Sequence, residues 1–474
     1  MMIKRLFILT LLLTFSLPSH ASESTDEFSM LEERATRSYQ DMLDVRLIRA
    51  LVVRNKTGYF FDGAQQRGIT YDLLKAFEQK INDEMKTGNL PVYVSFIPVS
   101  RDDLIPALLE GRGDVAAANL TITPERESLV DFSMPLYRDA RELVVTGIDI
   151  EPLSSIDELS GMSVHTRESS SYHSSLLQAN AKLQERGLSP INIVLVSEYL
   201  EDEDLLEMVN AQLIPAVVVD SHKVHFWQQI FDSIAVHEEL ALRRGANIAW
   251  AFRKNSSEFE NVINAFVKEN RKGTLMGNIL FKRYLQNTSH VRNALDPGEM
   301  EKFNATVSLF RKYADQYDFD WLMLIAQAYQ ESRLDQSTRS SAGAVGVMQL
   351  LPSTAADKSV GIEDIADLEN NVHAGAKYMR WLRDNYFNDP EMTREEQTLF
   401  TFAAYNAGPG KVKQLRSEAK EMELDPNIWF DNVEVVAAKR IGRETVQYVS
   451  NIYKYWIAYQ LAFDINANKH GASM

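Results

Sequence analysis

Glu331 closes an apolar run, Ala326–Gln327–Ala328–Tyr329–Gln330–Glu331–Ser332, whose spacing predicts a helix. A carboxyl group among apolar neighbours loses solvation, which disfavours its charged form and raises its pKa. That is the state a general acid needs near neutral pH. A glycine-spaced segment follows, Gly343–Ala344–Val345–Gly346–Val347–Met348–Gln349–Leu350. Gly343 and Gly346 permit tight turns and close approach to a ligand. Met348 and Gln349 offer an apolar contact and an amide hydrogen bond. Tyr405 and Asn406 end a further predicted helix from Leu399, which Gly408–Pro409–Gly410 terminates. Capping that helix end is an alternative task for Asn406. Pro352 and Ser353–Thr354 read as the start of a helix and as structure alone. No second carboxylate stands out as a nucleophile. Asp335 lies one turn beyond Glu331 only if the helix continues, and Ser332 with the polar run after it predicts a stop.

The elements that must position these groups fall into two textures. From Leu47 the chain alternates strand and helix. Leu47–Val53, Val92–Phe96 and Asp114–Ala118 read as strands, and Tyr71–Phe77 and Leu104–Leu109 as helical. Such alternation predicts a largely parallel sheet covered by helices. A second unit is expected from Gly161, with strands near Ile193–Val196 and Ala216–Val219, finishing around Tyr284. The polar stretch from Thr288 to Pro297, ending in Asp296–Pro297–Gly298, reads as a linker. Beyond it the pattern is nearly all helical. Its last element carries Tyr448, Ile452, Tyr455, Trp456, Tyr459 and Phe463 at helical spacing, most simply a core stripe.

Length and composition bound the rest. A chain of 474 residues exceeds one ordinary core and implies two or three domains. Lys4 and Arg5 precede an apolar run from Leu6 to Leu17, then Pro18 and Ser19–His20–Ala21. This reads as a secretory signal cleaved after Ala21, because the run is shorter than the ~20 residues of a spanning helix. Cleavage would remove Lys4 and Arg5 and no acid, taking the formal charge from −16 to −18. That charge argues against nucleic acid and against electrostatic adhesion to anionic lipid. With no cysteine there is no disulfide, thiolate nucleophile or lipidated cysteine, so membrane association would be peripheral or through a partner. Nine histidines without metal-ligand spacing give no case for a metal, and no cofactor is expected.

Several ordered segments then share a resemblance. Glu331–Ser332, Ser340 through Ala355, and Ala404–Tyr405–Asn406–Ala407–Gly408–Pro409–Gly410 resemble successive motifs of the soluble-type lytic transglycosylases, lysozyme-like enzymes of bacterial cell-wall turnover. Glu444–Thr445 and Tyr448 resemble their last motif, and the similarity spans roughly 300 to 465. Cleaving a glycosidic bond requires a proton on the departing oxygen and stabilisation of an oxocarbenium-like transition state. The resemblance implies that Glu331 supplies the proton and then acts as base on the muramoyl C6 hydroxyl, giving a 1,6-anhydro product. It also implies substrate contacts from Ser340, Gly346, Met348, Gln349, Tyr405, Asn406, Glu444 and Tyr448. Two-carboxylate hydrolysis is the alternative chemistry, and a structural ion pair the alternative for Glu444.

The first half shows a second resemblance. Ala117–Ala118–Asn119–Leu120–Thr121–Ile122–Thr123–Pro124–Glu125–Arg126, with Val130 through Tyr137, resembles a signature of family 3 extracellular solute-binding proteins, two-lobed binders of amino acids. It implies that Arg126 grips a ligand carboxylate, with Asn119, Thr121, Ser170 and Asp220 around the ligand. An ion pair with Glu125 or Asp131 is the alternative for Arg126. Tyr59–Phe60–Phe61 departs from the proline-aromatic pair such binders often carry. The acidic run Glu201–Asp202–Glu203–Asp204 reads as a solvated helix start.

The expected architecture is therefore a signal at 1–21, an α/β two-lobed periplasmic-binding-protein-like domain over 22–290, and an all-α lysozyme-like domain over 291–474. The expected partners are peptidoglycan glycan strands and, for the first domain, an amino acid or muropeptide that modulates activity. The expected location is the periplasm, with peripheral association at the outer membrane. The rival is a periplasmic sensor or wall-binding protein whose lysozyme-like domain is inactive.

Overall fold

Two unusually long strands hold the first half together. In the computed structural model, which describes residues 34–62, 65–285 and 297–471, the strands are β1 (Leu47–Val52), β2 (Phe60–Asp62), β3 (Gln65–Arg67), β4 (Tyr93–Pro98), β5 (Val115–Thr121), β6 (Asp131–Phe132), β7 (Tyr137–Gly147), β8 (Ser163–Thr166), β9 (Asn192–Leu195), β10 (Ala216–Asp220) and β11 (Ile234–Phe252). The expected signal at 1–21 and the expected linker up to Asp296 lie outside the described residues. Among the described residues nine strands form one sheet in the order β4-β1-β5-β11-β7-β10-β8-β9, with β6 also on β11. Pairing is parallel within β4-β1-β5 and within β10-β8-β9. It is antiparallel where β11 meets β5 and β7, and where β7 meets β10.

The expectation of a largely parallel sheet therefore needs correction at its centre. β7 and β11 run from one lobe into the other, and only antiparallel pairing lets a strand leave a lobe and its neighbour return. The division at Gly161 is corrected too. β11 carries the chain back, so the helices Ser257–Asn270 and Leu275–Leu285 pack on the first lobe. Phe259, Ile263, Phe266 and Leu280 share a buried cluster with Ile48, Phe77 and Val94. The second lobe is thus inserted between β7 and β11.

The remaining chain is helical, from Pro297–Tyr317 through Trp321–Ser332, Leu368–Tyr386, Arg394–Ala407 and Pro409–Glu421 to Arg443–Gly471. Pro297 opens the first of these helices, where its missing N–H is no loss. The last helix buries Tyr448, Ile452 and Tyr459, with Tyr455 and Trp456 half-buried, as a core stripe should; the Phe463 side chain lies outside the described ones. One continuous apolar cluster runs from Leu205, Phe226 and Trp227 of the second lobe to Phe303, Tyr329 and Tyr459 of the helical part.

The acidic run is the clearest departure. Glu201, Asp202, Glu203 and Asp204 are all buried. Arg101 grips Glu201 through two bonds of 2.9 and 2.5 Å, and Arg167 and Lys223 each hold Asp202 at 2.5 Å. Lys56 reaches Asp204 at 3.2 Å and Glu207 at 2.8 Å, while Lys454 of the last helix reaches Asp204 at 3.0 Å. Buried charges persist only when paired, and all five bases come from sequence-distant segments. A local reading had no means of supplying them.

Candidate active site

The helix Trp321–Ser332 is fixed at both ends. Asp320 accepts from Leu322 N at 2.7 Å as N-cap, and its other oxygen takes Trp456 Nε1 at 3.0 Å. Arg333 and Leu334 at φ 56° and 59° end the helix beyond Ser332. Asp335 follows that stop, and its carboxylate accepts from Ser337 N at 2.8 Å and Ser337 Oγ at 2.7 Å. Glu331 is left at the helix end, partly exposed, with its carboxyl pushed up to about 7 by burial. A hydrogen bond from Tyr448 Oη to Glu331 Oε1 at 2.6 Å opposes that shift.

The glycine-spaced loop lies against this helix through Ser332 Oγ, which donates to Val347 O at 2.9 Å. Two residues that local reasoning passed over hold the loop in shape. Asn371 accepts from Met348 N at 2.8 Å and donates to Val345 O at 2.8 Å, and Gln336 Oε1 accepts from Val347 N at 3.0 Å. Asn371 sits in the first turn of the helix Leu368–Tyr386, with no local signal of this role. Only its complete burial in a polar role identifies it.

The predicted site residues distribute unevenly. Tyr405 Oη donates to Met348 O at 2.7 Å, and Tyr405 and Glu331 lie close enough for the carboxylate to raise the phenol's pKa, after burial itself. Tyr448 is buried and directed at Glu331. Met348 is buried, and Gly346 has Asn371 and Gln336 filling the side where a Cβ would stand. Gln349, at φ 45°, folds its amide back onto Gly346 O at 2.8 Å and Thr338 O at 3.2 Å. Ser340 Oγ accepts from Ala344 N at 2.9 Å within the loop. Asn406 is exposed and accepts from Thr445 Oγ1 at 2.6 Å, tying two helices together, and neighbouring Glu444 is exposed.

The inter-lobe cleft of the first half is crossed by protein groups. Thr123 and Pro124 start the short helix that bears Arg126. The Arg126 guanidinium donates to Thr121 O on one lobe and Ser169 O on the other, each at 2.9 Å, rather than to Glu125 or Asp131. Asn119, at φ 55°, pairs its Oδ1 with His222 Nε2 at 3.1 Å. Ser170 caps its own helix by accepting from Tyr172 N at 3.1 Å. Asp220 is buried with Oδ1 unbonded. Burial, with Lys223 opposing and Glu142 and Asp202 adding, pushes its carboxyl up to about 6.

Residues 54–286 match the family described as bacterial extracellular solute-binding proteins, family 3, and residues 308–428 match the transglycosylase SLT domain. Glu444 and Tyr448 lie beyond the second match. Relatives carrying the name membrane-bound lytic murein transglycosylase F align along most of the chain. One from Desulfosudis oleivorans is 30% identical over 444 residues, covering 89% of this chain and 92% of its own. One from Pasteurella multocida is 30% identical over 428 residues, covering 85% and 81%. One from Aliivibrio fischeri is 28% identical over 480 residues, covering 95% and 88%.

Proposed function

From a chain that belongs to the membrane-bound lytic murein transglycosylase F family, we propose a peptidoglycan lytic transglycosylase that cleaves the β-1,4 bond between N-acetylmuramic acid and N-acetylglucosamine with Glu331 as its acid and base. The observation that carries this reading is the Glu331 carboxyl, desolvated to a pKa of about 7 with a single hydroxyl donor on one oxygen. Protonated, it gives its proton to the departing glycosidic oxygen as the C1–O bond breaks. The resulting carboxylate takes the proton of the muramoyl C6 hydroxyl as that oxygen bonds C1. The product is a 1,6-anhydro ring, with no water consumed. Asp335 Oδ1 accepts from Ser337 N and Oγ, which gives that carboxylate a local structural task in the turn after the helix.

Ser340, Gly346, Met348, Gln349, Tyr405, Asn406, Glu444 and Tyr448 are assigned to the sugar-binding walls by their resemblance to the transglycosylase motifs; Met348, which is buried, and Gln349, whose amide is bonded within the loop, serve by shaping that wall. In this reading the export signal is 1–21 and the two functional parts are 22–290 and 291–474. The first part takes a small solute carrying a carboxylate and an amine, an amino acid or a muropeptide, between Arg126 and Asp220, and modulates the second. Among the described residues no helix is long and apolar enough to cross a membrane. The mature protein is placed in the periplasm, resting peripherally on the outer membrane.

Mass spectrometry of purified peptidoglycan digested by wild type and by Glu331→Gln tests the proposal. Anhydromuramoyl products from the wild type alone support it. Reducing-end products would make the protein a hydrolase. Binding to sacculi without products from either would leave it a sensor or wall-binding protein.

A further inference from the structure

Gln327 is completely buried one helical turn before Glu331, on the same helix. Its amide Nε2 donates to the Tyr448 hydroxyl at 3.2 Å, and its Oε1 makes no hydrogen bond. The same hydroxyl meets Glu331 Oε1 at 2.6 Å. A phenol has one proton to give. While its oxygen accepts from the Gln327 amide, that proton is directed at Glu331.

We propose that Gln327 is a positioning residue, which keeps Tyr448 a standing donor to Glu331 Oε1 so that both proton transfers pass through Oε2 alone. The proposal rests on the transglycosylase reading above. A general acid that must become a base within one turnover gains from such an arrangement. Oε1 stays an acceptor in both states, so no buried group has to reorient between the steps. The geometry also makes Gln327 act on Glu331 only through Tyr448. The titratable groups packed around Glu331 are Tyr448 from the last helix and Tyr405 from the helix Arg394–Ala407; burial raises the pKa of both phenols well above the ordinary value, so both stay neutral. Neither Ser332 nor the loop lying on it contributes a charge to the shift of Glu331.

The reversed amide is the competing arrangement. There Tyr448 would give its proton to Gln327 and accept from protonated Glu331, which would favour the acid form. The two arrangements predict opposite signs.

The test is the substitution Gln327→Met, similar in size but without an amide, in wild type and in Tyr448→Phe. The readouts are the alkaline limb of kcat/KM and a carbon-13 NMR titration of the Glu331 carboxyl, which needs no turnover. Far-UV circular dichroism and thermal unfolding confirm that each variant folds. Losing the standing donor should move the Glu331 pKa upward by about half a unit, roughly threefold in proton affinity. In the Tyr448→Phe background the same substitution should add nothing. A downward shift, no shift, or a full shift persisting in Tyr448→Phe would overturn the proposal. If the wild type yields no anhydromuramoyl product while the titration moves as expected, the catalytic reading fails and the positioning role stands.

Discussion

Tyr448 Oη lies 2.6 Å from Glu331 Oε1, although 117 residues separate the two in the chain. A carboxyl group that burial raises and one hydroxyl donor partly restrains should titrate near neutrality. With the Glu331 pKa at about 7, the acid is available below that pH and lost above it. Initial rates of wall solubilisation should therefore fall as pH rises through 7. A profile flat to pH 9 would rule out Glu331 as the titrating acid.

The same shift has a stability consequence. A carboxyl whose folded pKa lies above its unfolded value of about 4.3 holds its proton more tightly when folded. Stability is then lost as pH rises from about 4 to 7, and the whole penalty is present above 7. Glu331→Gln removes the ionisation, so the variant should be more stable than wild type by about 1–3 kcal/mol at pH 8. That advantage should vanish near pH 4. Urea unfolding at the two pH values measures it.

Gly346 and Gly343 both have positive φ, 78° and 87°, but in different surroundings. A Cβ on Gly346 would meet Asn371 Nδ2 and Gln336 Oε1 at 2.5 Å, whereas Gly343 has nothing within 4 Å. Gly343→Ala should lower stability by about 1 kcal/mol, from backbone conformation alone. Gly346→Ala should cost roughly 2–4 kcal/mol and abolish turnover, because the Asn371–Gln336 clamp must move. Comparable effects at the two sites would refute the clamp.

Arg101 and Glu201 join the two lobes through a bidentate pair with side chains 6% and 3% exposed. Removing one partner strands a buried charge, so Arg101→Met should destabilise the chain by about 3–5 kcal/mol. Adding Glu201→Leu should recover most of that loss. A double variant no better than the single one would show that the pair is not an independent unit.

Arg126 spans the cleft by holding Thr121 O and Ser169 O. Arg126→Ala deletes one charge-assisted bond between the lobes, to Ser169 O, another within the first lobe, to Thr121 O, and the proposed grip on a carboxylate. Small-angle scattering should show a more open first half. Calorimetric titration with amino acids and stem peptides should show affinity reduced at least about tenfold. An unchanged scattering profile together with unchanged affinity would remove Arg126 from both tasks.

Much of the local structure was legible because its causes are local. Ser332 and the polar run behind it forecast the helix stop that Arg333 and Leu334 make with two left-handed residues. Gly408, at φ 90°, terminates the helix of Tyr405 and Asn406. The aromatic spacing after Tyr448 announced a buried stripe. In each case the relevant physics lies within a few residues, in backbone conformation or helical period.

What stayed hidden depends on partners far along the chain. Four consecutive acids read as solvated, since nothing near them could neutralise them; Arg101, Arg167, Lys223, Lys56 and Lys454 converge only after folding. No local pattern singled out β11, yet its 19 residues return the chain to the first lobe and overturn a sequential division. The sequence by itself determined that Glu331 ends an apolar helix. Only the tertiary structure decided that a buried amide and a distant phenol set the direction of its hydrogen bond, because burial and charge pairing are properties of what packs together, not of what is adjacent.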